Sequence, residues 1–228
     1  KILDEYKTLN FLIGLYIIKT FFLLFNFFFN LFEIIPYLLF ILGFFSFIYL
    51  NNINKKEILF LIKILFISSF FSFLSHFNDD FIYHYETIKN FKENNIFNIL
   101  TNRQTSYNSH WLFLKSIFYL EKYPQSLFSI TSLLYSLIII DLYKAYRRNI
   151  NNPLVSIISI LIFFFLLGVL NQYKEYGTDM PGQIIILLSL AIILEKQKEI
   201  FIENNLYLKL FIFILIIFSS MIKITNIY

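Results

Sequence analysis

"ILFLIKILFISSFFSFLSHFNDDFIYHYETIKNF", Ile58 to Phe91, decides how this chain is read. Its first eighteen residues, to Ser75, carry one charge, Lys63. A helix needs about 20 mostly apolar residues to cross a bilayer. The line then turns polar and sets two carboxylates side by side, Asp79 and Asp80, followed by Tyr83, His84, Tyr85 and Glu86. The question it poses is what two neighbouring acids do at the edge of a membrane.

The rest of the chain extends the apolar pattern. Of its 228 residues, 58% are hydrophobic and 15% charged, against about 45–50% and 25% in a soluble domain. The mean hydropathy is +0.67. Candidate spans lie at about 11–30, 36–50, 58–75, 126–143, 153–171, 182–195 and 207–224. The sequence therefore predicts an all-α, polytopic membrane helix bundle of about seven spans, forming one domain over residues 1–228. Pro36 and Pro181 fall at the starts of the second and sixth spans, where a missing N–H breaks no helical bond. The chain begins at Lys1 rather than Met and stops at Tyr228 in or just after an apolar run, as the amino-terminal part of a longer protein would. It has no cysteine, so disulfides, thiolate metal sites and cysteine nucleophiles are excluded. The net charge of +4 is read as a loop surplus, with no nucleic-acid partner.

Lysine and arginine set the orientation. With the amino terminus inside, the inner segments 1–10, 51–57, 144–152 and 195–206 hold nine basic residues in 38 positions. The outer segments 76–110 and 172–181 hold four in 45, a bias of about 2.7-fold. The acidic stretch and "KEYGTDMPGQ" then face the same, extracytoplasmic side.

The outer loop 76–125 has structure of its own. Phe81, Ile82, Tyr85 and Ile88 recur at helical spacing, with Asp80, His84 and Thr87 on another arc, which predicts an amphipathic surface helix. "WLFLKSIFYL", from Trp111, is too short to span and reads as an interfacial or re-entrant helix with Trp111 and Tyr119 at headgroup level. Within spans, Lys19, Lys63 and Asp141 lie near enough to helix ends to snorkel or cap.

Asp79 and Asp80 are the first candidates for chemistry. Adjacent like charges favour protonation of one of the pair, which poises a general base nearer neutral pH. Helix geometry puts Asp80 and His84 on one face, with Glu86 two residues on. Helix capping by Asn78 or Asp79 accounts for one acid. Asp179 stands between Gly177 and Pro181 and is read both as a cap of the sixth span and as a second acid on the same side. The outer cations are Lys89, Lys92, Arg103, His110, Lys115 and Lys122, suited either to phosphate or to lipid headgroups. His76, His84 and His110 form no zinc pattern, while oxygen ligation of Mg or Mn by Asp79, Asp80 and Asp179 is compatible with the acids.

An apolar span ending in acids, followed by a long outer loop with amphipathic helices, resembles the GT-C-fold glycosyltransferases. The matching residues are "NDDFIYHYETIKNF" (78–91), "TNRQTSYNSHWLF" (101–113) and "YGTDMPGQ" (176–183). Bacterial multi-pass members with a "DDF-x-YH" pattern are similar over about residues 60–195. In that fold the acidic loop usually follows the first span; here it follows the third. The resemblance implies inverting transfer of a sugar from a polyprenyl-phosphate donor to a lipid or glycan acceptor, on the extracytoplasmic face of a bacterial inner membrane. Asp79 or Asp80 would be the base, and Asp179 a second acid of the site. Arg103, a lysine, His110 or a divalent ion would meet the leaving phosphate. Tyr83 and Tyr85 would stack on sugar, and His84 and Glu86 would contact substrate. The competing reading is a transporter or flippase of a lipid-linked or small polar substrate. Against it, acids and bases are scarce inside the spans.

Overall fold

The computed structural model describes residues 6–31, 34–50, 55–74, 80–95, 110–153, 156–157, 160 and 179–222. Among these it is helical throughout, with a single isolated β-bridge between Leu120 and Tyr123. The helices are α1 (Lys7–Asn26), α2 (Ile35–Leu50), α3 (Lys55–Leu74), α4 (Asp80–Glu93), α5 (His110–Phe118), α6 (Ser129–Arg148), α7 (Asp179–Glu195) and α8 (Leu206–Ile222). A short 3-10 turn, Pro124–Phe128, leads into α6, and a π turn, Lys198–Ile202, follows α7. Lys7–Asn26 and Ser126–Arg148 are long and apolar enough to cross a membrane. The apolar helices within α2, α3, α7 and α8 are shorter. The predicted span at 153–171 falls mostly outside the described residues.

Side-chain contacts fix which helix ends lie together. At one end Asp141 of α6, fully buried, accepts the backbone N–H of Thr8 at 2.7 Å and its hydroxyl at 2.7 Å. It thus caps α1 from another helix, supplying an acceptor to the orphan N–H groups of the first turn. That is why α1 starts a turn before the apolar run. At the same end Glu195 of α7 gathers four donors. Arg148 binds it through Nε at 2.8 Å and a terminal nitrogen at 3.0 Å. Asn149 donates its amide at 2.9 Å, and the Tyr6 hydroxyl donates as well. The Arg148 guanidinium also lies over the Tyr6 ring. Lys144 of α6 sits over Phe60, near the start of α3. The amino ends of α1 and α3 and the carboxyl ends of α6 and α7 therefore share one basic end.

The opposite end follows from helix direction. Asn26 closes α1 there and donates to the carbonyls of Phe29 and Asn94. The Leu31 N–H donates to the Lys92 carbonyl, so the turn after α1 is stitched to the end of α4. α4 runs across this end, burying Thr87, Ile88, Phe91 and Lys92 and exposing Glu86, Lys89 and Glu93. Ile88 is buried as the spacing predicts, while Thr87, expected on the polar arc, is buried too; Tyr85 and His84 are both half-buried, and the Asp80, Phe81 and Ile82 side chains lie outside what the structure describes. α7 and α8 form an antiparallel pair. Asn204, at φ 53, makes the turn between them in the left-handed region that asparagine tolerates. Ser219 donates to the Gly182 carbonyl where the two helices meet at the far end.

α5 is the hub. Trp111 through Ile117 are all buried. Trp111 and Leu114 belong to a core shared with α1, α6, α7 and α8. Leu112, Phe113 and Ile117 belong to a second core with Phe22, Ile35, Ile88 and Phe91. A nine-residue helix covered on both faces is inserted into protein, not laid along a surface. Trp111 and Tyr119 are buried within the protein. The outer belt is apolar: Phe21, Leu24, Phe40, Leu42, Phe45, Phe66 and Phe213 are each more than half exposed.

Candidate functional site

The acids of the sequence motif open helices at the end opposite the Arg148–Glu195 cluster. Asp80 is the first residue of α4, which follows the far end of α3, and Asp179 is the first residue of α7. Their side chains lie outside what the structure describes, as does the Tyr83 side chain; Asp79 and Arg103 lie outside the described residues altogether. Helical register carries Asp80 and His84 on one side of α4. His84 is half-buried and Glu86 is exposed, and residues two apart on a helix do not face each other.

Beneath α4 lies a polar layer that the spacing of residues did not predict. The Tyr85 and Tyr119 hydroxyls meet at 2.9 Å, with the rings edge to face. Burial, then the bond to Tyr85, holds the Tyr119 phenol above its ordinary pKa. Lys92, read as an outer cation suited to headgroups, is buried and donates to the Tyr119 carbonyl at 3.1 Å, its ammonium 5.1 Å from the Tyr119 ring. Lys115 is 1% exposed. Burial pushes its ammonium down to about 7. Lys89 pairs with Glu93 at 3.5 Å and Lys122 is exposed, as surface lysines are.

A further buried cation is Lys19. It was expected to snorkel to a helix end; it is instead 2% exposed, with its ammonium 4.5 Å from the Tyr16 ring centroid. It acts on His110, the half-buried first residue of α5. Burial, then the Lys19 charge, lowers His110 to about 4, so its imidazole is neutral at pH 7. The signal for Lys19 was in the sequence: a lysine within a run of apolar residues is a functional candidate before it is a snorkeller. Asp141 is likewise drawn inward, to the cap already described. Lys63 is exposed. Among the described residues no group of three His, Cys, Asp or Glu side chains is placed to hold a metal ion.

Fold and site together define an all-helical protein with ion pairs locked at one end, paired tyrosines and buried cations towards the other, and helices fit to cross a membrane. The chain belongs to a family described as a domain of unknown function (DUF8201), whose model matches residues 3–228. No curated protein and no solved structure matches it.

Proposed function

We propose that this chain is the membrane domain of a GT-C-like glycosyltransferase, moving a sugar from a polyprenyl-phosphate donor to a lipid or glycan acceptor with inversion. The observation that carries the reading is the shared end. The helix opened by Asp80 crosses the same end of the bundle at which Asp179 opens α7, with buried cations towards that end. Asp79 or Asp80 takes the proton of the acceptor hydroxyl, whose oxygen attacks the anomeric carbon as the bond to the donor phosphate breaks. Asp179 is the second acid of the site. Positive and N–H-bearing groups then meet the charge that grows on the leaving phosphate. Arg103 and His110 suit that role, while Tyr83, His84 and Glu86 are assigned to substrate contact. The carboxylates are hard oxygen donors that suit Mg or Mn, and a bound ion would supply further charge stabilisation.

The apolar belt supports a fully membrane-embedded bundle of about seven spans, since exposed phenylalanines at this density have no place in water. The Lys- and Arg-rich end is assigned to the cytoplasm, and the acidic end to the periplasm or exterior of a bacterial inner membrane.

The test is turnover by purified protein in detergent, supplied with radiolabelled polyprenyl-phosphate sugar and acceptor. Detergent abolishes compartments, so a flippase yields no glycosylated product there. Asp79→Asn and Asp80→Asn are made singly. Loss of the base lowers the rate by about 10²–10⁴-fold in one of them. Unchanged turnover in both, at normal protein level, sinks the catalytic assignment.

A further inference from the structure

We infer that the outward stripe of α3 centred on Lys63 is a docking face for a transmembrane helix of a different protein, one that carries a carboxylate near the middle of its span. This docking rests on the membrane-embedded bundle proposed above and needs no sugar transfer.

α3 has two unlike faces. Ile64, Ser68 and Phe71 are buried, and the Phe71 ring meets Tyr135 of α6 edge to face. Leu59, Lys63, Phe66 and Phe70 are exposed. They follow one another at steps of four, three and four residues, which sets them in one stripe on the side turned away from α6. Those steps are the ones of a seam between two helices, and a single lysine within such a seam selects register and partner.

Depth makes Lys63 the informative residue. It lies eight residues from Lys55 and eleven from Leu74, the two ends of α3, or about 12 and 16 Å along the axis. A hydrocarbon core is about 30 Å thick, so this position is close to its middle. Charged side chains at that depth almost always face protein or pair with an opposite charge. Lys63 does neither. The ion pairs among the described residues are Lys89 with Glu93, Arg148 with Glu195 and Lys196 with Glu199.

Charge complementarity selects the occupant. A second copy of the chain has no acid to offer. In the seven apolar stretches the only carboxylates are Asp141 and Glu195, already engaged by Thr8 and by Arg148. A lipid headgroup stays at the bilayer surface. The competing account is snorkelling of the lysine stem towards the amino end of α3; it leaves Leu59, Phe66 and Phe70 in lipid and gives a carboxylate no advantage. The stripe therefore fits a helix from another protein, apolar like itself and with one Asp or Glu level with Lys63.

The probe is a synthetic leucine–alanine helix of about 20 residues with one central Glu. The full chain is set in phosphatidylcholine vesicles, which carry no net charge. It lacks cysteine, so Ile150→Cys, exposed just beyond α6, gives a single site for a fluorescent donor, and the peptide carries the acceptor. The Glu peptide is expected to reach half-maximal energy transfer at a mole fraction about tenfold below that of the same peptide with a central Leu. Lys63→Leu removes this preference and Lys63→Arg keeps it; gel-filtration profile and thermal unfolding establish that both are folded. In Phe66→Trp the new indole is quenched by brominated lipid, and the Glu peptide protects it. Equal binding of the Glu and Leu peptides, a preference that persists in Lys63→Leu, or its loss in Lys63→Arg overturns the proposal and leaves the embedded bundle and sugar transfer as they stand. A Phe66→Trp that brominated lipid fails to quench without peptide overturns the proposal together with the embedded bundle.

Discussion

Removing the Glu195 carboxylate tests whether the bundle is clasped at its basic end. In Glu195→Ala the Arg148 guanidinium, the Asn149 amide and the Tyr6 hydroxyl lose their common acceptor. Breaking a buried ion pair from one side costs about 3–5 kcal/mol. The Glu195 side chain is 6% exposed but Arg148 is 33% exposed, so the orphaned guanidinium rehydrates and the cost falls to the low end, about 3 kcal/mol. A chain of this size loses about 2–4 °C of Tm per kcal/mol, giving a drop of about 6–12 °C. Fluorescence-detected gel filtration after heating reads this in detergent without a cysteine-reactive dye, which a cysteine-free chain cannot take up. Arg147→Gln, exposed beside it, shifts Tm by less than about 2 °C. A double-mutant cycle of Arg148→Met with Glu195→Met isolates the pair and returns a coupling of about 1.5–3 kcal/mol. A shift below about 2 °C in Glu195→Ala, or a coupling near zero, refutes the reasoning.

Three other outcomes follow from the same structure. Lys115 is lowered to about 7 in the folded protein from an ordinary 10.5, so between those values the unfolded chain holds a proton the folded one has released. Stability therefore rises from pH 7 towards 10.5 and loses this contribution as pH falls back to 7; Lys115→Met shows a flatter profile in pH-dependent thermal unfolding. Tyr119→Phe removes the 2.9 Å hydroxyl pair but leaves the Lys92 bond to the Tyr119 carbonyl, and lowers Tm by about 2–4 °C, the worth of one net hydrogen bond. In a Trp111→Phe background, a tryptophan placed by Phe45→Trp on the exposed side of α2 is quenched by brominated lipid, whereas native Trp111 is not; the reverse would put the apolar belt elsewhere.

The helices of this fold are legible because hydropathy is local. Ile58–Ser75 announces α3, and the helical recurrence of Phe81, Ile82, Tyr85 and Ile88 announces α4, without knowledge of any partner. What joins the helices is not local. Glu195 meets Tyr6 across 189 positions, and Asp141 meets Thr8 across 133, and no spacing rule links them. The site divides the same way. The acids stood out because adjacent carboxylates beside an apolar span are rare. Lys115 looked like a surface lysine because a ten-residue apolar segment gives no hint that other helices cover both its faces, and Lys92 did because nothing local to α4 brings the Tyr119 carbonyl to it. Lys19 was visible in its apolar run, but its depth was decided by Tyr16 and α5.

The burial of α5 bears on how the protein is made. Nine residues cannot hold a place in lipid alone, so this helix does not enter the bilayer as an autonomous segment when it leaves the ribosome. It docks against α8, which is synthesised almost a hundred residues later. Assembly therefore has an order: the flanking helices insert first, and the segment bearing Trp111 and Lys115 is drawn in last. A nascent chain stopped before Leu206 leaves that segment within reach of protease, and release of α8 closes it.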